Sequence, residues 1–287
     1  MKKIIALLLA LLTITACFAG CSETAEETKA PETQGTEAPE VTEAPEATET
    51  PEATDSDLAK IQEAGKLIVG ITDYAPMDYK DENGEWTGFD AELAMMFAEK
   101  LGVDCEFFVI GDWGKKFMEL DTNSIDAVWN GMTITEEALT NASVSNPYVI
   151  NAQVVVMKSD KLANYADVES MKDLTFAVEE GSAGQSVATE AGLNTISKQD
   201  QAGALMEVAA GAADACVIDI TMANAMTGEG TDYANLGMGI SLSSEEYGVA
   251  FRKGSDLTDA LNQFLDELKA DGTLEALAQK YELTLAE

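Results

Sequence analysis

The residues of this chain best placed to do chemistry lie between positions 125 and 148. There Ile125-Asp126-Ala127-Val128-Trp129 runs into Asn130-Gly131-Met132-Thr133-Ile134-Thr135 and on to Glu136-Glu137-Ala138. A β-branched and aromatic run ending in Asn-Gly, then a Thr with two acids in the turn after it, predicts a strand-to-helix corner. Open α/β sheets bind small molecules at such corners. The chemistry on offer is binding rather than turnover. The chain has no histidine, and its single arginine is Arg252. A Ser-His-Asp relay and a His-rich metal site are therefore excluded, and we expect no catalytic residue, metal or cofactor.

The N-terminus reads as an export signal. Lys2 and Lys3 precede an apolar run from Ile4 to Ile14 that is too short to span a bilayer. Ala16-Cys17 and Gly20-Cys21 each resemble the acylation site of a bacterial lipoprotein, with Cys21 favoured and Cys17 the alternative. This makes residues 1–20 a lipoprotein signal peptide. Residues 21–57 are rich in Thr, Glu, Ala and Pro and show no apolar face at any period, so they read as a disordered acidic tether. The expected place of work is outside the cell, lipid-anchored to the outer face of the membrane.

The net charge of −35 excludes a nucleic-acid partner. Cys105 and Cys216 each sit inside an apolar run, far apart, and read as buried free thiols.

The corner needs elements to hold it. Lys66 to Ile71 is a short apolar run that predicts a buried strand, and Phe89 to Leu101 has helical periodicity that stops at Gly102. Cys105 to Ile110 reads as a strand and Trp113 to Leu120 as a helix. Strands alternating with helices imply a largely parallel sheet. The same grammar returns 88 positions later, where Met206-Glu207-Val208 and Asp214-Ala215 echo Met118-Glu119-Leu120 and Asp126-Ala127. Two similar lobes with facing strand tips would enclose a cleft. Tyr148 to Met157 and Ser243 to Arg252 suit two strands crossing between them, and Leu257 to Tyr281 is helical. Lobe 1 is thus residues 58–148 plus 248–287, lobe 2 is residues 153–243, and the hinge strands are about 149–152 and 243–247.

Taken in order, these blocks resemble the amino-acid branch (family 3) of the extracytoplasmic solute-binding proteins of ABC transporters. The resemblance rests on Gly65-Lys66-Leu67-Ile68-Val69-Gly70, Gly88-Phe89-Asp90, Gly131-Met132-Thr133-Ile134-Thr135, Ser145-Asn146-Pro147-Tyr148, Asp214 to Asp219 and Glu246-Tyr247-Gly248. It implies a two-lobed periplasmic-binding-protein-like α/β fold of type II, with two mixed, mostly parallel sheets joined by two hinge strands that close over a ligand. It also implies roles. Tyr74, with Asp73 beside it, and Trp113 would enclose the ligand side chain. The Gly131 carbonyl, the Thr133 hydroxyl and Asp219 would hold the ligand ammonium, with Asn130 and Met132 alongside. Ser182, Ala183 and Gly184 would offer backbone N–H groups to an anion. Glu179 would face a cationic side chain. The partners implied are a small-molecule amino acid or amine and a membrane permease, with the protein working as a monomer.

One position departs from the pattern. Where the resemblance implies an arginine that clamps the ligand carboxylate, this chain has Ala138. Its loss removes a bidentate charge-assisted pair, whose bonds are worth roughly 1.5–3 kcal/mol each. Three readings follow: an amino acid whose carboxylate is held by backbone amides, Thr133 and Ser182; an amine, polyamine or blocked amino acid; or a sensory binding protein not coupled to transport.

Overall fold

The computed structural model of the protein describes residues 56–287. The export signal, the two candidate acylation sites Cys17 and Cys21, and all but the last two residues of the acidic segment lie outside the described residues. Along the chain the strands are β1 (Lys66–Ile71), β2 (Tyr79–Lys80), β3 (Trp86–Thr87), β4 (Asp104–Val109), β5 (Ala127–Val128), β6 (Ser143–Val144), β7 (Val149–Asn151) and β8 (Gln153–Lys158). They continue as β9 (Thr175–Glu179), β10 (Asn194–Lys198), β11 (Ala215–Asp219), β12 (Leu236–Ser241), β13 (Glu245–Tyr247) and β14 (Ala250–Phe251). The helices are α1 (Asp57–Ala64), α2 (Phe89–Leu101), α3 (Lys116–Asp121), α4 (Glu136–Asn141), α5 (Ala183–Glu190), α6 (Gln201–Ala210), α7 (Ile220–Met226), α8 (Leu257–Asp271) and α9 (Thr273–Lys280).

These elements form the two-lobed α/β architecture. One five-stranded sheet runs β4-β1-β5-β14-β6 and the other runs β10-β9-β11-β8-β12. Each is mixed: β4, β1 and β5 are parallel with β14 antiparallel to β5, and β10, β9 and β11 are parallel with β8 antiparallel to β11. The echo in the sequence becomes a structural one, because β5 and β11 start 88 residues apart and both lead toward the same cleft.

The connecting run is not a single strand. Val149–Asn151 pairs antiparallel with Glu245–Tyr247 as a separate ribbon, whereas Gln153–Lys158 joins the second sheet. The burial pattern explains the break. β7 alternates, with Ile150 exposed between buried Val149 and Asn151, but β8 is buried on both faces, as a central strand must be.

The core of the first sheet is anchored by Trp129, Phe89, Phe97 and Phe251, all without solvent exposure. Each such side chain contributes about 1.5–3 kcal/mol on burial. α8 presents Leu257, Leu261, Leu265 and Leu268 to it, at helical spacing. Gly272, at φ 83°, separates α8 from α9 within the expected C-terminal helical segment. Of the two free thiols Cys216 is buried but Cys105 is only half-buried, since β4 is an edge strand. No helix among the described residues is long and apolar enough to cross a membrane.

Candidate functional site

The strand-to-helix corner forms as a cap. Thr135 is extended, and its hydroxyl accepts from the Ala138 amide at 3.1 Å, which opens α4 with Glu136 and Glu137 in its first turn. Before it, Gly131 stands at φ 54°, and a β-carbon there would fall 2.6 Å from the Tyr74 ring. Only glycine fits. Two buried acids brace the corner from below. The Gly131 amide donates to Asp90 at 2.6 Å, and the Asn130 amide donates to Asp78 at 2.7 Å. Burial pushes Asp90 up to about 7, although the Gly131 amide and Tyr148 hydroxyl bonds favour its charged form.

Above this corner lies a cavity of about 460 Å³ between the two sheets. Its most ordered part is a pair of carboxylates, Asp219 at the tip of β11 and Glu245 on β13. The Asn151 and Gln153 side-chain amides each donate to both, with Gln153 Nε2 at 2.6 Å from Asp219 and 2.7 Å from Glu245. Gln201 donates to the other Asp219 oxygen while its own carbonyl accepts from the Asp219 amide. Thr133 donates to Glu245 at 2.8 Å. Among the described residues no cation pairs with either acid. Desolvation, with the Glu245 charge beside it, raises Asp219 to about 6, and the three amides pull it back down.

Glu179 is a third acid on the cavity wall and is buried, and its Oε1 has no hydrogen-bond partner among the described residues. Burial first, then the Asp219 and Asp200 charges, push it up to about 8. On the opposite wall stands Lys116, the only basic residue lining the cavity, with 6% of its surface exposed. Its Nζ donates to the Trp113 and Gly181 carbonyls at 3.3 and 3.2 Å and lies 5.0 Å from the Trp113 ring centre. The lobes touch here: a β-carbon on Gly181, whose φ is 73°, would fall 2.5 Å from the Gly114 Cα. They also meet where the Tyr74 hydroxyl shares hydrogen bonds with Thr221 at 2.6 Å and Tyr247 at 2.5 Å.

Of the residues singled out from the sequence, Tyr74, Trp113, Asn130, Gly131, Met132, Thr133, Glu179, Ser182, Ala183 and Asp219 line the cavity. Asp73 and Gly184 do not. Asp73 is exposed at a bend beside the buried Tyr74. Gly184 faces into the second lobe, where a β-carbon would meet the Gln153 side chain and the Val217 carbonyl. Ser182 is occupied as the cap of α5, accepting from the Gln185 amide and donating to the Glu179 carbonyl. Ala138 is buried in a core cluster with Trp113, Phe117 and Met132. Arg252 lies elsewhere, paired with Asp57 and Asp126, both at 3.1 Å.

Sequence reasoning missed Lys116, Gln153, Gln201 and Glu245. A signal existed for one of them: Asn151 and Gln153 are polar residues two apart in the otherwise apolar run Val149 to Met157, hence on one face of a strand.

A family model for bacterial extracellular solute-binding proteins, family 3, matches residues 67–284, and the chain belongs to that family. The arginine-binding extracellular protein ArtP of Bacillus subtilis is 31% identical over 75% of this chain and 86% of that protein. The L-cystine-binding protein TcyJ of Escherichia coli K12 is 29% identical over 78% of this chain and 85% of its own. Among solved structures, the ancestral amino-acid-binding protein AncCDT-1, described as a precursor of cyclohexadienyl dehydratase, aligns with a TM-score of 0.72. It is 33% identical and covers 79% of this chain and 99% of its own.

Proposed function

We propose that this chain is an extracytoplasmic receptor that captures a cationic amino acid between its lobes and delivers it to an ABC importer. The observation that carries the reading is the Asp219–Glu245 pair. A buried carboxylate, Asp219, and a half-buried one, Glu245, held together by shared amide donors, form an acceptor array with which no cation of the described residues pairs. A ligand ammonium completes it, because a desolvated ammonium needs several fixed acceptors and a counter-charge. The free oxygen of Glu179 then accepts from a guanidinium, imidazole or second ammonium on the ligand side chain. Relatives named for binding arginine, for lysine, arginine and ornithine, and for histidine support this preference.

The ribbon of β7 and β13, with the segments at about 149–152 and 243–247, serves as the hinge. Residues 58–148 with 248–287 close against residues 153–243. Acylation at Cys21, with Cys17 the alternative, and the acidic segment 21–57 hold the domain beside its permease. The cleft binds and releases without catalysing a reaction.

A second reading, an amine without a free carboxylate, is favoured by the acids Glu136, Glu137 and Glu190 on the cavity wall and by Ala138 in place of a clamp. A thermal-shift screen over amino acids and amines, followed by isothermal titration, tests the proposal. A cationic amino acid is expected to raise the melting temperature and to bind at micromolar concentration or below. Micromolar binding of glutamate would contradict it.

A further inference from the structure

Lys116 is a buried ammonium without a counter-charge. It is 6% exposed, it lines the ligand cavity, and among the described residues it forms no ion pair. Its hydrogen bonds go to two neutral carbonyls, Trp113 and Gly181, which leaves one of its three donors unassigned. A charge taken out of water and left unpaired is costly, so it persists only where something else completes it. Glu137, Glu179 and Asp112 lie near enough to favour the charged form against desolvation, the larger effect, but none makes contact.

The place matters as much as the charge. The Gly181 carbonyl that Lys116 holds belongs to the residue just before the α5 cap. Beyond that cap the Ala183 and Gly184 amides begin the helix, where partial positive charge collects. The lysine also stands over the Trp113 and Phe117 rings, which pack in the same cluster as Ala138. The cavity thus has the Asp219–Glu245 acceptors in one part and a lone cation beside a helix start in another.

We propose that Lys116, reaching the cavity from α3, is the residue that binds the ligand's carboxylate and so selects amino acids over the corresponding amines. The inference rests on the reading of the cleft as an amino-acid site. It accounts for the neutral residue at position 138: the clamp has moved to another helix rather than disappeared. It also assigns the ligand both poles of a zwitterion, with the ammonium on Asp219 and Glu245 and the carboxylate on Lys116.

The test pairs each amino acid with its decarboxylated form. The full chain is titrated calorimetrically with L-arginine and agmatine, and with L-histidine and histamine. In the native protein at least one amino acid should bind ten to a hundred times more tightly than its amine, the gain from a charge-assisted contact. Lys116→Met should lose at least tenfold more on the amino acid than on the amine, and Lys116→Arg, which keeps the cation, should restore the preference. If amino acid and amine bind equally in the native protein, or Lys116→Met weakens both alike, the carboxylate role is overturned while the receptor reading stands. If neither member of either pair binds, the receptor reading fails and the inference with it.

Discussion

The cleft has two differently built ends. Around Asp219 and Glu245, Asn151, Gln153 and Thr133 supply donors to the carboxylates, and the strands β11, β8, β7 and β13 fix their positions. Around Lys116 there is one flexible side chain, two neutral carbonyls and a helix start. The first end is preorganised for a cation and the second holds a charge in waiting. In the proposed reading the ordered acceptor array sets how tightly an amine is held, and a lone buried lysine sets which amines are accepted.

The largest expected effect breaks the ordered end. Asp219→Ala should lower amino-acid affinity more than a hundredfold by titration, since it removes the counter-charge, strands the Gln201 amide donor and deprives Asn151 and Gln153 of one acceptor each. A comparable change at Lys116 should be smaller and confined to ligands with a carboxylate. Next comes Gly181→Ala. Its positive φ costs about 1 kcal/mol, and its methyl would lie against the Gly114 Cα, so the contact between lobes should be lost. Binding should fall by on the order of tenfold, with ligand-induced compaction in small-angle scattering reduced.

These contrasts were unequally visible in the sequence. The corner at Asn130 to Glu137 and the Asp219 tip were legible, because a strand ending in Asn-Gly and a Thr cap are local signals. The Asp219–Glu245 network was not, because its members come from five separated segments, brought together in part by the pairing of β7 with β13 and of β8 with β11. Lys116 was hidden for another reason. In the run Trp113 to Leu120 it reads as one more helix position, and its contact with the Gly181 carbonyl comes from the other lobe. Asp73 and Gly184 were expected in the site as chain neighbours of residues that reach it, but Asp73 sits exposed at a bend and Gly184 packs inside the second lobe.

A smaller effect distinguishes the ends by pH. On the proposed binding mode the ligand ammonium needs Asp219 ionised, and burial holds that carboxyl up at about 6. Affinity should therefore fall about tenfold between pH 7 and pH 5, as the proton competes with the ligand. Glu179, at about 8, works in the same direction, so affinity for a cationic side chain should rise between pH 7 and pH 9. Lys116 runs the other way, since burial lowers it and its charge is lost as pH rises.

The smallest effect lies beneath the corner. Asp90 holds its proton more tightly folded, at about 7, than unfolded, at 3.8, so it costs stability as pH rises from about 4 to about 7. Asp90→Asn should flatten that part of the melting-temperature profile while leaving an oxygen to accept from Gly131.

The most direct measurement is calorimetric titration of the full chain, freed of carried ligand by unfolding and refolding, with L-arginine, L-histidine and L-glutamate. Saturable binding of a cationic amino acid at micromolar concentration or below, absent for glutamate and abolished by Asp219→Ala, is the expected result. Tight glutamate binding, or cation binding that survives Asp219→Ala unchanged, would contradict the assignment of the Asp219–Glu245 pair as the ammonium site.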